Sequence, residues 1–222
     1  MKCIGSTPNQ TCLKTSRAHC QTVKNPRHEG IRTRARLEKP LGLRRGGEDT
    51  MVEALLEKPI TLFRQGDIDG ALADLQEKLG SNGDIAELHH MWAEFANMKN
   101  MEAQDDVIPG RKIMNAYKKA MELDEDNMEY IADFASFALE CRRIPVAVKE
   151  FQRYARRLEL EDIPVDEVLY TASRNLIDAI EVMDPSRQAP MIQPWLKQAL
   201  EWAVGALGYS VEDAIATLSA DD

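Results

Sequence analysis

Residues 86–98 have the sequence AELHHMWAEFANM, and residues 111–123 have the sequence RKIMNAYKKAMEL. In each segment the apolar side chains recur every three or four residues, which places them on one face of an α-helix. The chain as a whole is poor in β-branched residues and rich in Ala, Leu and Glu, which favours helix over strand. The two segments therefore predict a pair of amphipathic helices in an all-α protein.

The same pattern occurs on both sides of this pair. A shift of 34 residues towards the amino terminus reaches apolar residues around Gln65-Gly66-Asp67, and a shift of 42 residues the other way reaches a third pair at 128–142 and 146–160. The eight extra residues of the longer interval fall in 99–110. The repeat register predicts burial of Leu55, Leu62, Ala71, Leu75, Trp92, Ala93, Ala96, Ala116, Tyr117, Ala120, Phe134, Ala135, Ala147 and Phe151.

Residues 51–160 resemble the tetratricopeptide repeats, a family with a unit of 34 residues and two antiparallel helices. Residues 63–72 (FRQGDIDGAL) are similar to the turn inside that unit, and residues 117–127 (YKKAMELDEDN) to its final segment. The chain departs from the family pattern at Lys58, Pro59 and Arg142. The resemblance implies a right-handed solenoid of helical hairpins with about nine helices.

The residues after 160 are also predicted to be helical, but they do not follow the 34-residue repeat. Apolar residues at helical spacing predict helices at 166–183 and 190–207, and Gly208 is a typical helix end. Ser210 can cap a short final helix, with Asp213 able to bond back to its backbone. We therefore expect a divergent fourth pair followed by a capping helix.

Charge divides the chain at Met51. Residues 1–50 carry 11 Lys and Arg against 4 Asp and Glu, whereas residues 51–222 carry 17 against 33. The first segment has no aromatic residue and 13 apolar ones, too few to offset the entropy lost on ordering it. We expect a disordered basic leader (1–50) and a helical domain (51–222). The leader fits a start codon assigned too early, an organellar transit segment or a genuine basic tail.

Cysteine usage and hydropathy bear on the compartment. Cys3, Cys12 and Cys20 of the leader lack the Cys-x-x-Cys pairs of a zinc knuckle. Cys141 stands alone in 51–222, which implies no disulfide there and suits a reducing compartment. No apolar run approaches the roughly 18 to 20 residues of a membrane-spanning helix. We expect a cytoplasmic protein with no membrane span.

The sequence contains few residues in patterns typical of catalysis, metal binding or phosphate binding. His89 and His90 are adjacent, and adjacent helix positions diverge by about 100°, so the two imidazoles are not expected to share a ligand or a substrate. The segment 67–70 (DIDG) lacks the further ligands of a calcium loop, since Gln76 stands where the glutamate is needed. No glycine-rich phosphate loop occurs. We expect a protein that is not an enzyme, with no cofactor and no metal.

The resemblance also implies a binding surface. In tetratricopeptide repeats, ligand contacts come from exposed positions of each unit's first helix, which line a concave wall. Carried onto this chain, these positions are Leu56, Ile60, Phe63, His90, Glu94, Asn97, Glu129, Asp133, Ser136 and Glu140. Only Asn97 and the nearby Arg64 match the set with which chaperone-binding members grip a terminal carboxylate. The acidic positions instead predict a basic or apolar partner segment, and a solvated face without a ligand is the alternative.

Two classes of function remain. The first is a non-catalytic protein–protein interaction module or adaptor that binds a peptide or helix of its partner in this groove. The alternative is a binder of nucleic acid or anionic membranes that acts through the basic leader. The excess of acidic residues in 51–222 opposes phosphate binding, so no nucleic acid is expected to bind the domain itself.

Overall fold

The computed structural model describes residues 48–183, 185–208, 210 and 212, and all regular secondary structure in these residues is helical. The described part of the chain is thus all-α, as predicted. Within these residues eight helices follow one another: α1 (Glu48–Arg64), α2 (Ile68–Ser81), α3 (Ala86–Ala103), α4 (Gly110–Leu123), α5 (Met128–Glu140), α6 (Ile144–Leu160), α7 (Glu167–Glu181) and α8 (Pro185–Ala206). Apart from Glu212, the residues of the predicted ninth helix after Ser210 lie outside the described residues, as do residues 1–47 of the predicted leader.

The helices contact chiefly their neighbours in the chain. The most extensive contacts join α1 to α2, α3 to α4, α5 to α6 and α7 to α8, and smaller contacts of α2 with α3 and of α4 with α5 link successive pairs. Further contacts join α1 to α3 and α5 to α7. The helix pairs inferred from the periodicity are therefore present.

Several helix ends differ from the prediction. α1 begins at Glu48, three residues before the expected boundary, where acidic residues suit the positive end of the helix dipole. α3 continues to Ala103. α8 begins at Pro185, five residues before the predicted start at Pro190. Proline fits the first turn of a helix because its missing N–H would have no partner there.

In two of the pairs, a tight turn with left-handed backbone joins the first helix to the second. Gly66 has a φ of 85° between α1 and α2, and the Asp67 carboxylate caps α2 by accepting the backbone N–H of Gly70 at 2.8 Å. Arg142, with a φ of 56°, takes the same role between α5 and α6. A side chain in this conformation costs about 1 kcal/mol or more. The turn between α5 and α6 therefore has the same left-handed conformation although Arg142 stands in place of the expected glycine.

The core runs through all four helix pairs, and alanines fill the places where neighbouring helices approach. Ala93, Ala96 and Ala135 are completely buried, and Ala147 is 1% exposed. The other residues predicted to be buried are also buried, except Leu55, Leu62 and Ala116, which are half-buried. Apart from Ala116, the periodicity thus located the core correctly from α2 onward.

The buried face of α1 is rotated from its predicted position. Leu56 and Pro59 are fully buried, and Val52 and Phe63 are half-buried on the same side. These four residues are spaced by four, three and four positions, which makes a continuous helical stripe. The assignment of Leu56 to an exposed binding surface is therefore wrong, because that side chain fills the interface with the neighbouring helices.

The insertion at 99–110 is held by one side chain. Asn100, which is 4% exposed, accepts the backbone N–H of Ile108 at 2.8 Å and donates to the carbonyl of the same residue at 2.7 Å. Both bonds satisfy backbone groups that a loop would otherwise leave to water. The extra residues extend α3 and form a loop whose far end is fixed to that helix.

Candidate binding surface

Polar side chains of α3 face those of α5 along three contacts, each between residues 43 positions apart. The Nε2 atom of His90 lies 2.9 Å from Asp133 Oδ2, Asn97 donates to Glu140 Oε2 at 3.5 Å, and the Tyr130 hydroxyl donates to Glu87. Four of the predicted binding residues meet in these contacts, and a carboxylate oxygen of a fifth, Glu94, lies within 4.8 Å of the ligand atoms of His90 and Asp133. We call this group the α3–α5 cluster (His90, Glu94, Asn97, Asp133 and Glu140).

His90 lies at the base of the cluster and is 3% exposed. Its ring is 4.7 Å from the Tyr130 ring and 5.8 Å from the Tyr117 ring, centroid to centroid. The prediction of an exposed groove residue is therefore wrong for His90, because aromatic rings of α4 and α5 enclose it. Its neighbour His89 lies 2.9 Å from the Gly83 carbonyl, so the two imidazoles contact different elements, as expected.

Glu94 is half-buried and is fixed by a tyrosine of α4. The Tyr117 hydroxyl donates to Glu94 Oε1 at 2.7 Å, and Tyr117 is 2% exposed. Burial, together with the negative charges of Glu94 and Asp133, holds the pKa of Tyr117 well above its ordinary value. The tyrosine therefore stays protonated and remains a donor, which orients the carboxylate.

Glu140 is at the outer end of the cluster, with part of its side chain open to solvent. Burial of the carboxyl by the surrounding protein, with a smaller contribution from the Glu94 and Asp133 carboxylates, raises its pKa to about 7, although the hydrogen bond from the Asn97 amide acts in the opposite direction. Three carboxyl groups thus repel one another on two adjacent helices. Such an arrangement concentrates negative potential at one place on the surface.

The shift at Glu140 predicts a pH dependence of stability. Because the folded-state pKa is raised from 4.5 to about 7, the folded chain binds a proton in this window that the unfolded chain has released. The free energy of unfolding should therefore fall as pH rises through it. At about pH 8, Glu140→Gln should be more stable than the natural chain by roughly 1 kcal/mol, since solvent screens part of the repulsion.

The measurement is urea denaturation of both chains at pH values from 4 to 8. The two chains should be equally stable below pH 4.5, where Glu140 is protonated in both states. Glu122→Gln, which neutralises an exposed carboxylate of α4, is the matched control and should show no such divergence. A constant difference between Glu140→Gln and the natural chain at all pH values would contradict the assignment.

The remaining predicted positions lie outside the cluster. Phe63 is half-buried and stacks on Phe95, with ring centroids 4.3 Å apart. Ile60 is half-buried against the core, Ser136 is half-buried on α5, and Glu129 is exposed. The apolar end of the predicted surface is therefore largely occupied by internal packing, and the acidic end is the part that remains accessible.

Periodicity did not identify two features of the structure, one beside the α3–α5 cluster and one at the carboxyl-terminal helices. Tyr117 was predicted as a core residue only, although the Lys and Asn residues around it on α4 mark a helix with a polar side. A cleft between α6 and α8 was also missed. Leu158, Ile163 and Trp202 line it, and Gln152 donates to Gln198 at 2.7 Å beside it.

The α3–α5 cluster also contains a set of metal-ligating atoms. One ligand atom each from His90, Glu94 and Asp133 lie within 4.8 Å of one another. No other group of three such residues was found in the part of the chain that the structure describes. The arrangement can bind a cation through carboxylate and imidazole groups.

Comparison with known proteins adds no identification. No protein-family model matches the chain, and no curated protein matches it at a significant level. None of the described helices combines the length and the hydrophobicity that crossing a bilayer requires. The resemblance to tetratricopeptide repeats therefore remains a prediction based on the chain's own residues.

Proposed function

We propose that the helical domain is a non-catalytic interaction module of the tetratricopeptide type, a right-handed solenoid that binds a basic segment of a partner protein at the α3–α5 cluster. The observation that carries the proposal is the convergence of the Glu94, Asp133 and Glu140 carboxyl groups on two neighbouring helices. Lys or Arg side chains of a partner would relieve the repulsion among these groups. The module would act as an adaptor in the cytoplasm, a reducing compartment that suits a cysteine outside any disulfide such as Cys141.

The order of the elements supports this function. α1, α3 and α5 are the first helices of three successive pairs, and such stacking produces a curved wall in helical-repeat proteins. Glu140 is exposed and Glu94 and Asp133 are half-buried, whereas Leu56 and Phe63 at the apolar end of the predicted wall are engaged in packing. We therefore favour a basic partner segment over an apolar one.

The test uses two fluorescent peptides of equal length, one alternating Lys and Leu, the other alternating Glu and Leu. The full chain should bind the Lys/Leu peptide and not the Glu/Leu peptide, with affinity that falls as salt is added. Glu140→Lys should weaken binding by about tenfold or more, equivalent to about 1.4 kcal/mol. Glu94 is left unchanged because its carboxylate accepts a hydrogen bond from the buried Tyr117 hydroxyl.

The matched control is Glu122→Lys, an identical charge change at an exposed residue of α4 that pairs with Lys118 at 3.2 Å. This variant should bind the Lys/Leu peptide as the natural chain does. An equal loss in both variants would mean that the overall negative charge, and not the α3–α5 cluster, attracts the peptide. Unchanged binding by Glu140→Lys would place the interface elsewhere, with the cleft between α6 and α8 as the next candidate.

A further inference from the structure

The starting observation is a histidine at a core position of the repeat. The 34-residue shift relates His90 to Leu56, and the 42-residue shift relates it to Ala132. All three side chains are buried, with exposures of 3%, 0% and 7%. An apolar side chain fills this position in the first and third pairs, so packing alone does not require an imidazole in the second.

The imidazole is directed at carboxylates. His90 and Glu94 are one turn apart on α3 and therefore project from the same face. Asp133 reaches them from α5, with its Oδ2 atom 2.9 Å from His90 Nε2. The three ligand atoms lie within 4.8 Å of one another, and donor atoms about 2.0 to 2.2 Å from one shared ion are separated by about 2.8 to 4.4 Å.

Neighbouring groups support the ligands from outside. The Tyr117 hydroxyl donates to Glu94 at 2.7 Å, and hydrogen bonds of this kind orient metal-binding carboxylates. Glu140 adds a third carboxyl group beside the ligands, where it accepts a hydrogen bond from Asn97 at 3.5 Å. Excess negative charge next to a buried imidazole is the environment in which a dication is most favourably bound.

We infer that His90, Glu94 and Asp133 form a binding site for a divalent first-row transition-metal ion, with water completing the coordination. One imidazole with two carboxylates suits Mn²⁺, Fe²⁺ or Zn²⁺. The bound ion would replace the direct contact between His90 and Asp133 and connect α3 to α5. This inference does not depend on the proposed peptide binding.

Mn²⁺ is the appropriate probe, because zinc would also bind the leader thiols Cys3, Cys12 and Cys20, whereas manganese prefers carboxylate ligands. The full chain, freed of metal with a chelator, is titrated with Mn²⁺ and the loss of the free-ion electron paramagnetic resonance signal is recorded. We expect saturable binding of one ion per chain. The ion should also broaden the ring-proton nuclear magnetic resonance signals of one histidine, and His90→Gln should lack that signal.

Asp133→Asn and Glu94→Gln should each weaken Mn²⁺ binding by at least tenfold. Glu94→Gln keeps an oxygen that can accept the Tyr117 hydroxyl, so it tests the site even if Asp133→Asn fails to fold. Glu129→Gln is the matched control, because it removes one charge from an exposed residue of α5 one turn before Asp133. It should bind Mn²⁺ as the natural chain does.

Three results would overturn the inference: no saturable Mn²⁺ binding by the natural chain, binding that survives Glu94→Gln undiminished, or an equal loss in Glu129→Gln. The last result would indicate diffuse attraction to negative charge. Peptide titrations run in chelator report on the proposed function alone, and metal titrations run without peptide report on this site alone. The two proposals therefore succeed or fail separately.

Discussion

Phe95→Ala should lower the free energy of unfolding by about 3 to 5 kcal/mol. Phe95 is 1% exposed, and its ring stacks on Phe63 of α1 with centroids 4.3 Å apart and an angle of 8° between the ring planes. Truncation removes the buried ring and leaves a cavity between α1 and α3, the two helices that it connects. Guanidinium denaturation monitored by circular dichroism measures the change.

Phe63→Ala is the matched comparison for Phe95→Ala. Its ring is half-buried, so this substitution should cost less than Phe95→Ala, with part of both losses shared because the rings contact each other. A double variant should therefore lose less stability than the two single losses added together. A loss of under 1 kcal/mol on Phe95→Ala would contradict the burial of this ring between α1 and α3.

Ala135→Leu and Ala147→Leu should each destabilise the protein by about 1 to 3 kcal/mol. Ala135 is completely buried and Ala147 is 1% exposed, on the two helices α5 and α6 that pack against each other. Each added isobutyl group must displace the facing helix or adopt a strained rotamer. Chemical denaturation midpoints, compared at constant slope, measure the loss of stability.

Ala155→Leu is the control for overpacking. Ala155 also lies on α6 but is half-buried and borders the cleft between α6 and α8, where a larger side chain has space. Its denaturation midpoint should stay close to that of the natural chain. Unchanged midpoints for both Ala135→Leu and Ala147→Leu would mean that the repeat register assigned to the third pair is incorrect.

Periodicity was sufficient to predict the helix pairs and most of the core. Ala71, Trp92 and Ala93 are buried as predicted, because the spacing of apolar residues within one helix determines which face is inward. The prediction was wrong at Leu56. Lys58 and Pro59 interrupt the expected pattern of small residues in α1, so the spacing allowed two neighbouring stripes, and packing against α2 and α3 selected one of them.

The candidate site could be predicted only in part. Glu94, Asp133 and Glu140 were placed on one surface through the repeat register, and the structure brings them together. The burial of His90 against Asp133 was not predictable, because it depends on how α3 and α5 lie relative to each other. That placement follows from contacts between residues 43 positions apart, which periodicity within a single helix does not encode.

The Asn100 side chain allows the spacing between repeats to differ along the sequence while the packing of the helices stays the same. Along the chain, the interval from the second pair to the third is eight residues longer than the interval before it. The extra segment returns to its starting helix through two hydrogen bonds to Ile108, and α4 still packs against α3. A chain built in this way can gain or lose loop residues between its repeats while each helix keeps the same neighbours. Such insertions therefore do not alter the core.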